Sequence, residues 1–291
     1  MQIYIDGNWV GKEDAKISVF DHGLLYGDGV FEGIRIYNGT IFRLKEHVRR
    51  LYDSARATLL TIPMSEEEMA ELLLEAVAKN EKTDGYIRLV ITRGVGDLGI
   101  NPATCPEASV IVIVDDISLY PEEHYTRGIK VITASTRRNS PDAVDPRIKS
   151  LNYLNNIMAK LEAQQAGCLE AILLNREGKV AECTGDNIFY IRDGVLLTPA
   201  SDQGALKGIT RDAVIEAAEG IGMETRATPS TLYDLYTADE CFLTGTAAEM
   251  IPVTTIDGRT IGTGTPGPDT ARVREAFQAL IKNEEQTAAK K

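Results

Sequence analysis

Apolar positions along the chain alternate between two periods, and each change of period marks an element. Residues 3 to 42 read as short strands and turns, ending in Ile34-Arg35-Ile36-Tyr37 and Thr40-Ile41-Phe42, which are joined by Asn38-Gly39. That dipeptide accepts the positive φ angles of a tight turn and predicts a β-hairpin. Leu44, Val48, Leu51 and Ala55 then recur at helical spacing. Ser65-Glu66-Glu67-Glu68 opens a second helix as a capping box, with Met69, Leu72, Leu73 and Val77 on its apolar face. Tyr86 to Arg93 and Ala108 to Val114 return to strand character, so the first part of the chain reads as an α+β unit with helices over one sheet.

The segment Asp115 to Arg127 holds Pro121 among charged residues and sustains no period, which predicts a connection between domains. Lys130 to Ala134 reads as a strand and Tyr153 to Gln165 as a helix stopped at Gly167. Ala171 to Asn175 begins a series of strands with turns at Glu177-Gly178, Asp193-Gly194 and Asp257-Gly258. Thr210 to Ala218 is a further helix, ending near Gly220 and Gly222, and the polar run from Asn283 onward reads as frayed. The predicted organisation is a small N-terminal α/β domain over 1–120, a linker over 121–128, a larger C-terminal domain over 129–285 and a tail over 286–291.

Composition narrows the function classes. A chain of 291 residues with 43% hydrophobic content can bury two cores. Its 31 basic against 43 acidic residues give a net charge of -12, which disfavours nucleic-acid and anionic-membrane partners. Cys105, Cys168, Cys183 and Cys241 form no Cys-x-x-Cys pair and the three histidines are scattered, so neither a metal site nor a disulfide framework is expected. The run Met1-Gln2-Ile3-Tyr4-Ile5-Asp6-Gly7 lacks the basic and long apolar segments of a signal peptide, and a cytoplasmic location is the expectation.

Three segments carry candidate chemistry. Lys149 opens Lys149-Ser150-Leu151-Asn152-Tyr153, Glu182 precedes the strand-like Asn187-Ile188-Phe189-Tyr190, and Gly208-Ile209-Thr210 introduces a helix. Taken singly, the first two read better as a solvated lysine and an exposed hairpin glutamate, and the third reads equally well as an ordinary helix cap. Taken together they supply what a pyridoxal phosphate transaminase requires: an amine for the aldehyde, a carboxylate for the pyridine nitrogen and a helix start for the phosphate. Gly245-Thr246-Ala247-Ala248-Glu249 offers a second cluster of small residues for an anionic group, and Arg50 a positive charge for the phosphate.

The ordered pattern Glu182, Thr184, Asn187, Phe189, Leu196, Thr198, Leu206, Ile209 and Arg211 resembles the class IV, or fold-type IV, pyridoxal phosphate aminotransferases. That family includes branched-chain and D-amino-acid aminotransferases and aminodeoxychorismate lyase, and the resemblance covers nearly the whole chain. It implies an α+β, two-domain fold with a mostly antiparallel C-terminal β domain bearing helices. It also implies that Lys149 holds the cofactor as a Schiff base, Glu182 contacts the pyridine nitrogen, Tyr153 bonds the ring hydroxyl and Leu206 packs on the ring. Arg50, Ile209, Thr210 and Thr246 would bind the phosphate.

Tyr26-Gly27-Asp28-Gly29-Val30-Phe31-Glu32-Gly33-Ile34-Arg35, Tyr86-Ile87-Arg88 and Gly245-Thr246-Ala247-Ala248-Glu249 resemble the branched-chain enzymes. The implied reaction exchanges an amino group between L-leucine, L-isoleucine or L-valine and 2-oxoglutarate. Tyr26 and Phe31 would form an apolar wall, Gly33 would leave room for a branched side chain, and the Thr246 and Ala247 amides would bind the α-carboxylate. Arg35 and Arg88, with Tyr26 and Tyr86, are the candidates for an acidic substrate side chain, and Tyr120 would reach a neighbouring subunit's site from the linker. A homo-oligomer is implied, a dimer or a hexamer built of dimers. Lys149-Ser150-Leu151-Asn152 also resembles D-amino-acid transaminases, although Thr92-Arg93-Gly94 is followed by Val95-Gly96-Asp97 without that subgroup's Arg-x-His pair. The lyase and a noncatalytic binding protein are the remaining alternatives.

Overall fold

Period-two alternation and helix amphipathicity sort the chain into two compact units in the computed structural model, which describes residues 1–117 and 120–288. The first unit comprises Met1–Ile117, Ile148–Asn152 and Glu284–Lys291; the second comprises Ser118–Arg147 and Tyr153–Asn283. Together they give the α+β arrangement that the sequence resemblance implies.

In the first unit, β1 (Gln2–Ile5), β2 (Asn8–Gly11), β3 (Gly29–Tyr37), β4 (Thr40–Ile41), β5 (Gly85–Thr92) and β6 (Ser109–Asp115) form a sheet of order β2-β1-β6-β5-β3-β4. Every neighbouring pair is antiparallel. Val30, Ile34 and Ile36 of β3 share one face with Ile87, Leu89 and Ile91 of β5, and all are buried. After the short α1 (His22–Tyr26), α2 (Leu44–Ala57) lies against that face through Val48, Leu51 and Ala55, and α3 (Glu66–Lys79) through Met69, Leu72, Leu73 and Val77. Burying side chains of this size stabilises by about 1.5–3 kcal/mol each, so the face fixes the register of the strands. The capping box forms as the sequence predicts: Ser65 Oγ accepts from Glu68 N at 3.2 Å, and Ser65 N donates to Glu68 Oε2 at 2.7 Å.

The second unit is built on a larger sheet: β7 (Ile129–Thr133), β8 (Glu170–Leu174), β9 (Val180–Cys183), β10 (Asn187–Arg192), β11 (Val195–Thr198), β12 (Thr225–Ala227), β13 (Glu240–Gly245) and β14 (Glu249–Ile256), with β15 (Arg259–Thr260) at the side of β14. The order is β12-β11-β10-β13-β14-β7-β8-β9, antiparallel except where β7 pairs β14 and β8 and where β11 pairs β12. The helices α5 (Leu154–Gln165) and α6 (Ile209–Gly220) follow the sequence prediction closely.

Two stretches differ from the sequence prediction. Residues 121–128, expected as a linker, carry α4 (Glu122–Arg127). Its six residues are too few to show a period, but Glu122 and Glu123 in the first turn and His124 and Arg127 in the last suit the helix dipole. The expected frayed tail is helical as far as the structure describes it, because the helix Pro268–Ala288 is anchored by buried Val273, Phe277 and Ile281 at spacing of four. Ala289 to Lys291 lie outside the described residues. Among the described residues, no helix is long and apolar enough to cross a membrane.

Candidate active site

Alternation along β3 and β5 also gathers most of the candidate substrate residues. Opposite the core face, Phe31, Gly33 and Arg35 of β3 stand beside Tyr86, Arg88 and Val90 of β5, in the register Gly33↔Arg88 and Arg35↔Tyr86. The Arg88 guanidinium lies 4.8 Å from the Phe31 ring centroid and 5.4 Å from that of Tyr86. This sheet face therefore presents aromatic surface and fixed positive charge together, a combination that takes apolar and anionic groups alike. Tyr26 stands apart at the end of the short helix His22–Tyr26, more than a third exposed, with its hydroxyl donating to the Leu98 carbonyl.

Gly33 does not leave the room expected of it. A Cβ there would stand 1.7 Å from the Tyr86 hydroxyl, so the absent side chain is what lets Tyr86 lie across the strand. The space belongs to the tyrosine rather than to a ligand.

Lys149 belongs to a short segment of the first unit that pairs with β3. Phe31 N donates to the Lys149 carbonyl at 3.0 Å, Leu151 N donates to the Gly29 carbonyl at 2.9 Å, and Val30 and Ser150 form an antiparallel bridge. Lys149 N in turn donates to Ser54 Oγ of α2 at 3.1 Å. With its backbone held on both sides, the half-buried side chain places Nζ 4.4 Å from the Phe31 ring centroid. It does not project into open solvent as an ordinary surface lysine does.

Arg50 of α2 is held by Glu32 on the core face of β3, with Nε donating to Oε1 and Nη2 to Oε2, both at 2.8 Å. His47, one helical turn earlier, meets Glu32 Oε2 through Nδ1 at 2.7 Å. Sequence reading noted Arg50 but missed Glu32 and His47 as its partners. The signal was a carboxylate in an otherwise apolar period-two series.

In the second unit, Glu182 on β9 is buried and accepts from Arg138 Nε at 2.7 Å through Oε1 and from Leu206 N at 2.7 Å through Oε2. Arg138 Nη1 continues to Asn155 Oδ1 at 3.1 Å. Arg138 is a second residue that sequence reading missed, since it lies in a loop without a period and 44 positions from Glu182. Asn187 Nδ2 donates to the Leu206 carbonyl at 2.9 Å, which straps Leu206 from its other side.

After Leu206 comes the start of α6. A Cβ on Gly208 would come 2.0 Å from Asn187 Oδ1, so this glycine allows the close approach. Among the described residues no side chain caps the helix at Gly208, and Ile209 and Thr210 are both buried. A twelve-residue helix whose first amides lack a side-chain acceptor offers an anion its N–H groups and the positive end of the dipole. Thr246 and Ala247 are half-buried in the turn between β13 and β14, and Tyr153 forms the N-terminal boundary of α5.

Tyr120 departs from expectation. Instead of reaching out from a linker toward another subunit, it packs in the core of its own unit with Ile129, Val131 and Ile172, and its buried hydroxyl has no hydrogen-bond partner among the described residues. Burial raises its pKa, with the nearby carboxylates Asp186 and Glu170 adding to the rise, so the phenol stays protonated.

The first unit offers an amine beside an aromatic ring and a clamped arginine, which suit an aldehyde and a phosphate ester. The second offers a buried carboxylate fixed by an arginine and an uncapped helix start, which suit a protonatable ring nitrogen and a phosphate ester. Among the described residues, no group of three or more His, Cys, Asp or Glu is placed to hold a metal ion.

Comparison with known proteins agrees with that chemistry. The family model for class IV amino-transferases matches residues 29–256, and the chain belongs to that family. A putative branched-chain-amino-acid aminotransferase of Methanocaldococcus jannaschii is 52% identical over 280 residues, covering 96% of each chain. The solved structure of a T.th. branched-chain amino acid aminotransferase complexed with N-(5'-phosphopyridoxyl)-L-glutamate superposes with a TM-score of 0.89 at 42% identity, covering 95% of this chain and 92% of that one. A D-alanine aminotransferase of Listeria monocytogenes is 39% identical over 279 residues, covering 95% of each chain.

Proposed function

We propose that this aminotransferase uses pyridoxal 5'-phosphate to exchange the amino group between L-leucine, L-isoleucine or L-valine and 2-oxoglutarate, acting as a homo-oligomer, at least a dimer, in the cytoplasm. The observation that carries the reading is the placement of Lys149, whose backbone is pinned to β3 and α2 while Nζ stands 4.4 Å from the Phe31 ring centroid. When bound, the cofactor supplies an aldehyde to take the amino group and a cationic ring to accept electrons from the substrate's α-carbon.

In this reading Lys149 would hold the cofactor through its aldehyde, and its amine, once free, would take the proton from the substrate's α-carbon and deliver it to the carbon that carried the aldehyde. Glu182, with Arg138 on one oxygen and the Leu206 amide on the other, keeps an anionic oxygen in place for the ring nitrogen. Tyr153 orients the ring hydroxyl and Leu206 covers the ring. Arg50, Thr246 and the start of α6 at Ile209 and Thr210 hold the phosphate. Phe31 and Tyr26 shelter an aliphatic side chain, Arg35 and Arg88 with Tyr86 receive the distal carboxylate of the acidic substrate, and the Thr246 and Ala247 amides take the α-carboxylate. The relative solved with phosphopyridoxyl-L-glutamate supports the acidic co-substrate, and the M. jannaschii likeness supports the branched-chain one.

A second reading, transamination of D-amino acids, draws on the D-alanine relative at 39% identity. A half-reaction panel of L- and D-amino acids, followed through the loss of the bound cofactor's visible absorbance, separates the two. We expect L-leucine, L-isoleucine and L-valine to bleach the band quickly and D-alanine slowly. Faster bleaching by D-alanine replaces the first reading with the second, and a band that no amino acid changes refutes both.

A further inference from the structure

Glu32 and His47 take no part in the proposed reaction, yet they are among the most deeply buried polar residues of the first unit, at 0% and 1% exposure. Glu32 occupies a core position of β3, between Val30 and Ile34, where alternation calls for an aliphatic residue. Its two carboxylate oxygens receive Nε and Nη2 of Arg50 and Nδ1 of His47 within 2.7–2.8 Å. Burial alone would raise the Glu32 pKa, but the charge of Arg50 and the hydrogen bonds from Arg50 and His47 outweigh it and hold the carboxyl well below its usual range. Desolvation acts on His47 in the other direction and lowers its pKa, outweighing the pull of Glu32. A neutral His47 facing an ionised carboxylate must carry its proton on Nδ1, so the histidine acts as a directional donor.

This geometry constrains Arg50. A guanidinium is a rigid plane, and engaging both Nε and Nη2 on one carboxylate fixes the plane as well as the position of the charge. His47 donates to the same carboxylate at 2.7 Å, which fixes Glu32 in turn. We propose that Glu32 and His47 are positioning residues that preorganise Arg50 for the cofactor's phosphate. The proposal rests on Arg50 being a phosphate ligand. Its consequence is that phosphate recognition in the first unit depends on a carboxylate buried behind the arginine, because a preorganised donor loses less freedom when the anion arrives.

The test compares pyridoxal phosphate with pyridoxal, which lacks the phosphate, as ligands of the cofactor-free protein, with dissociation constants taken from absorbance titration. Glu32→Gln should weaken pyridoxal phosphate binding by about 10-fold or more, as loss of an orienting partner commonly does, while pyridoxal binding changes little. Inorganic phosphate should compete less well against pyridoxal phosphate in this variant. His47→Gln, a milder change, should move the ratio of the two constants in the same direction by less. Equal weakening toward both ligands, as a merely structural defect gives, or an unchanged ratio in both variants, overturns the proposal. Arg50→Leu is the control for the underlying reading: an unchanged ratio there means that Arg50 does not bind the phosphate, and the reading fails before the proposal is reached.

Discussion

Each unit buries one glutamate against one arginine, and the two pairs differ in how they are built. Glu32 sits mid-strand and meets an arginine 18 positions later on the helix packed over the same sheet face, with a histidine completing the set. Glu182 meets an arginine that arrives from a loop 44 positions earlier, and its other oxygen takes a backbone amide. Under the proposed roles, the first glutamate serves its arginine, whereas the second arginine serves its glutamate. Buried ion pairs alone are weak evidence of stability, so the direction of service has to be read from what each pair faces.

Breaking the pairs should expose that asymmetry. Glu182→Ala takes the carboxylate from the buried Arg138 and Glu32→Ala takes it from the partly buried Arg50, and each should cost about 3–5 kcal/mol of stability, measured by chemical denaturation. In the milder Glu182→Gln, kcat should fall by about 100-fold or more, with pyridoxal phosphate affinity reduced less than kcat. Replacing the whole second pair, with Arg138→Met and Glu182→Leu together, should restore most of the stability lost in Glu182→Ala without restoring turnover. Recovery of activity in that double variant would show that the carboxylate has no chemical task.

Much of the first unit was legible in the sequence because its determinants are local and periodic. The hairpin at Asn38-Gly39, the capping box at Ser65 and the apolar stripes of both helices all recur in the structure. Lys149, Glu182 and the helix start at Gly208 were legible as chemistry, though not as contacts. Arg138 was not, since a loop arginine carries no period and its partner is distant in sequence. The space at Gly33 was misjudged because alternation tells which face a residue lies on, not what fills the gap beside it. The helix after Pro121 was too short to register, and the role expected of Tyr120 came from resemblance alone, since nothing in its own sequence neighbourhood sets its burial.

Gly33→Ala sharpens the point about space: Tyr86 must move, and we expect a loss of about 1–3 kcal/mol, seen as a lower Tm, with KM for both substrates altered more than pyridoxal phosphate affinity. Another buried carboxyl, Asp186, behaves unlike either glutamate. Glu170 already accepts from Thr184 Oγ1, from Ala171 N at 3.0 Å, from Gly185 N at 3.2 Å and from Lys160 Nζ at 3.4 Å, so a shared proton belongs on Asp186. Burial first, and the Glu170 charge second, push Asp186 from its ordinary 3.8 up to about 8. The native state therefore binds a proton that the unfolded chain releases, and this group's contribution to stability is present below pH 3.8 and is lost as pH rises toward 8. Asp186→Asn should flatten that decline in a series of melts from pH 4 to pH 8 (about the span of the shift); a steeper decline would put the proton elsewhere. The smallest effect expected is that of Ser65→Ala, at about 1 kcal/mol, from loss of the cap alone.

The central claim is that the amine of Lys149 holds the cofactor, and reduction of the pyridoxal phosphate-loaded protein with borohydride, followed by peptide mass spectrometry, tests it most directly. A phosphopyridoxyl group is expected on the peptide containing Lys149 and on no other in stoichiometric amount. Label on a different lysine, or a loaded protein that borohydride leaves unmodified, would contradict it.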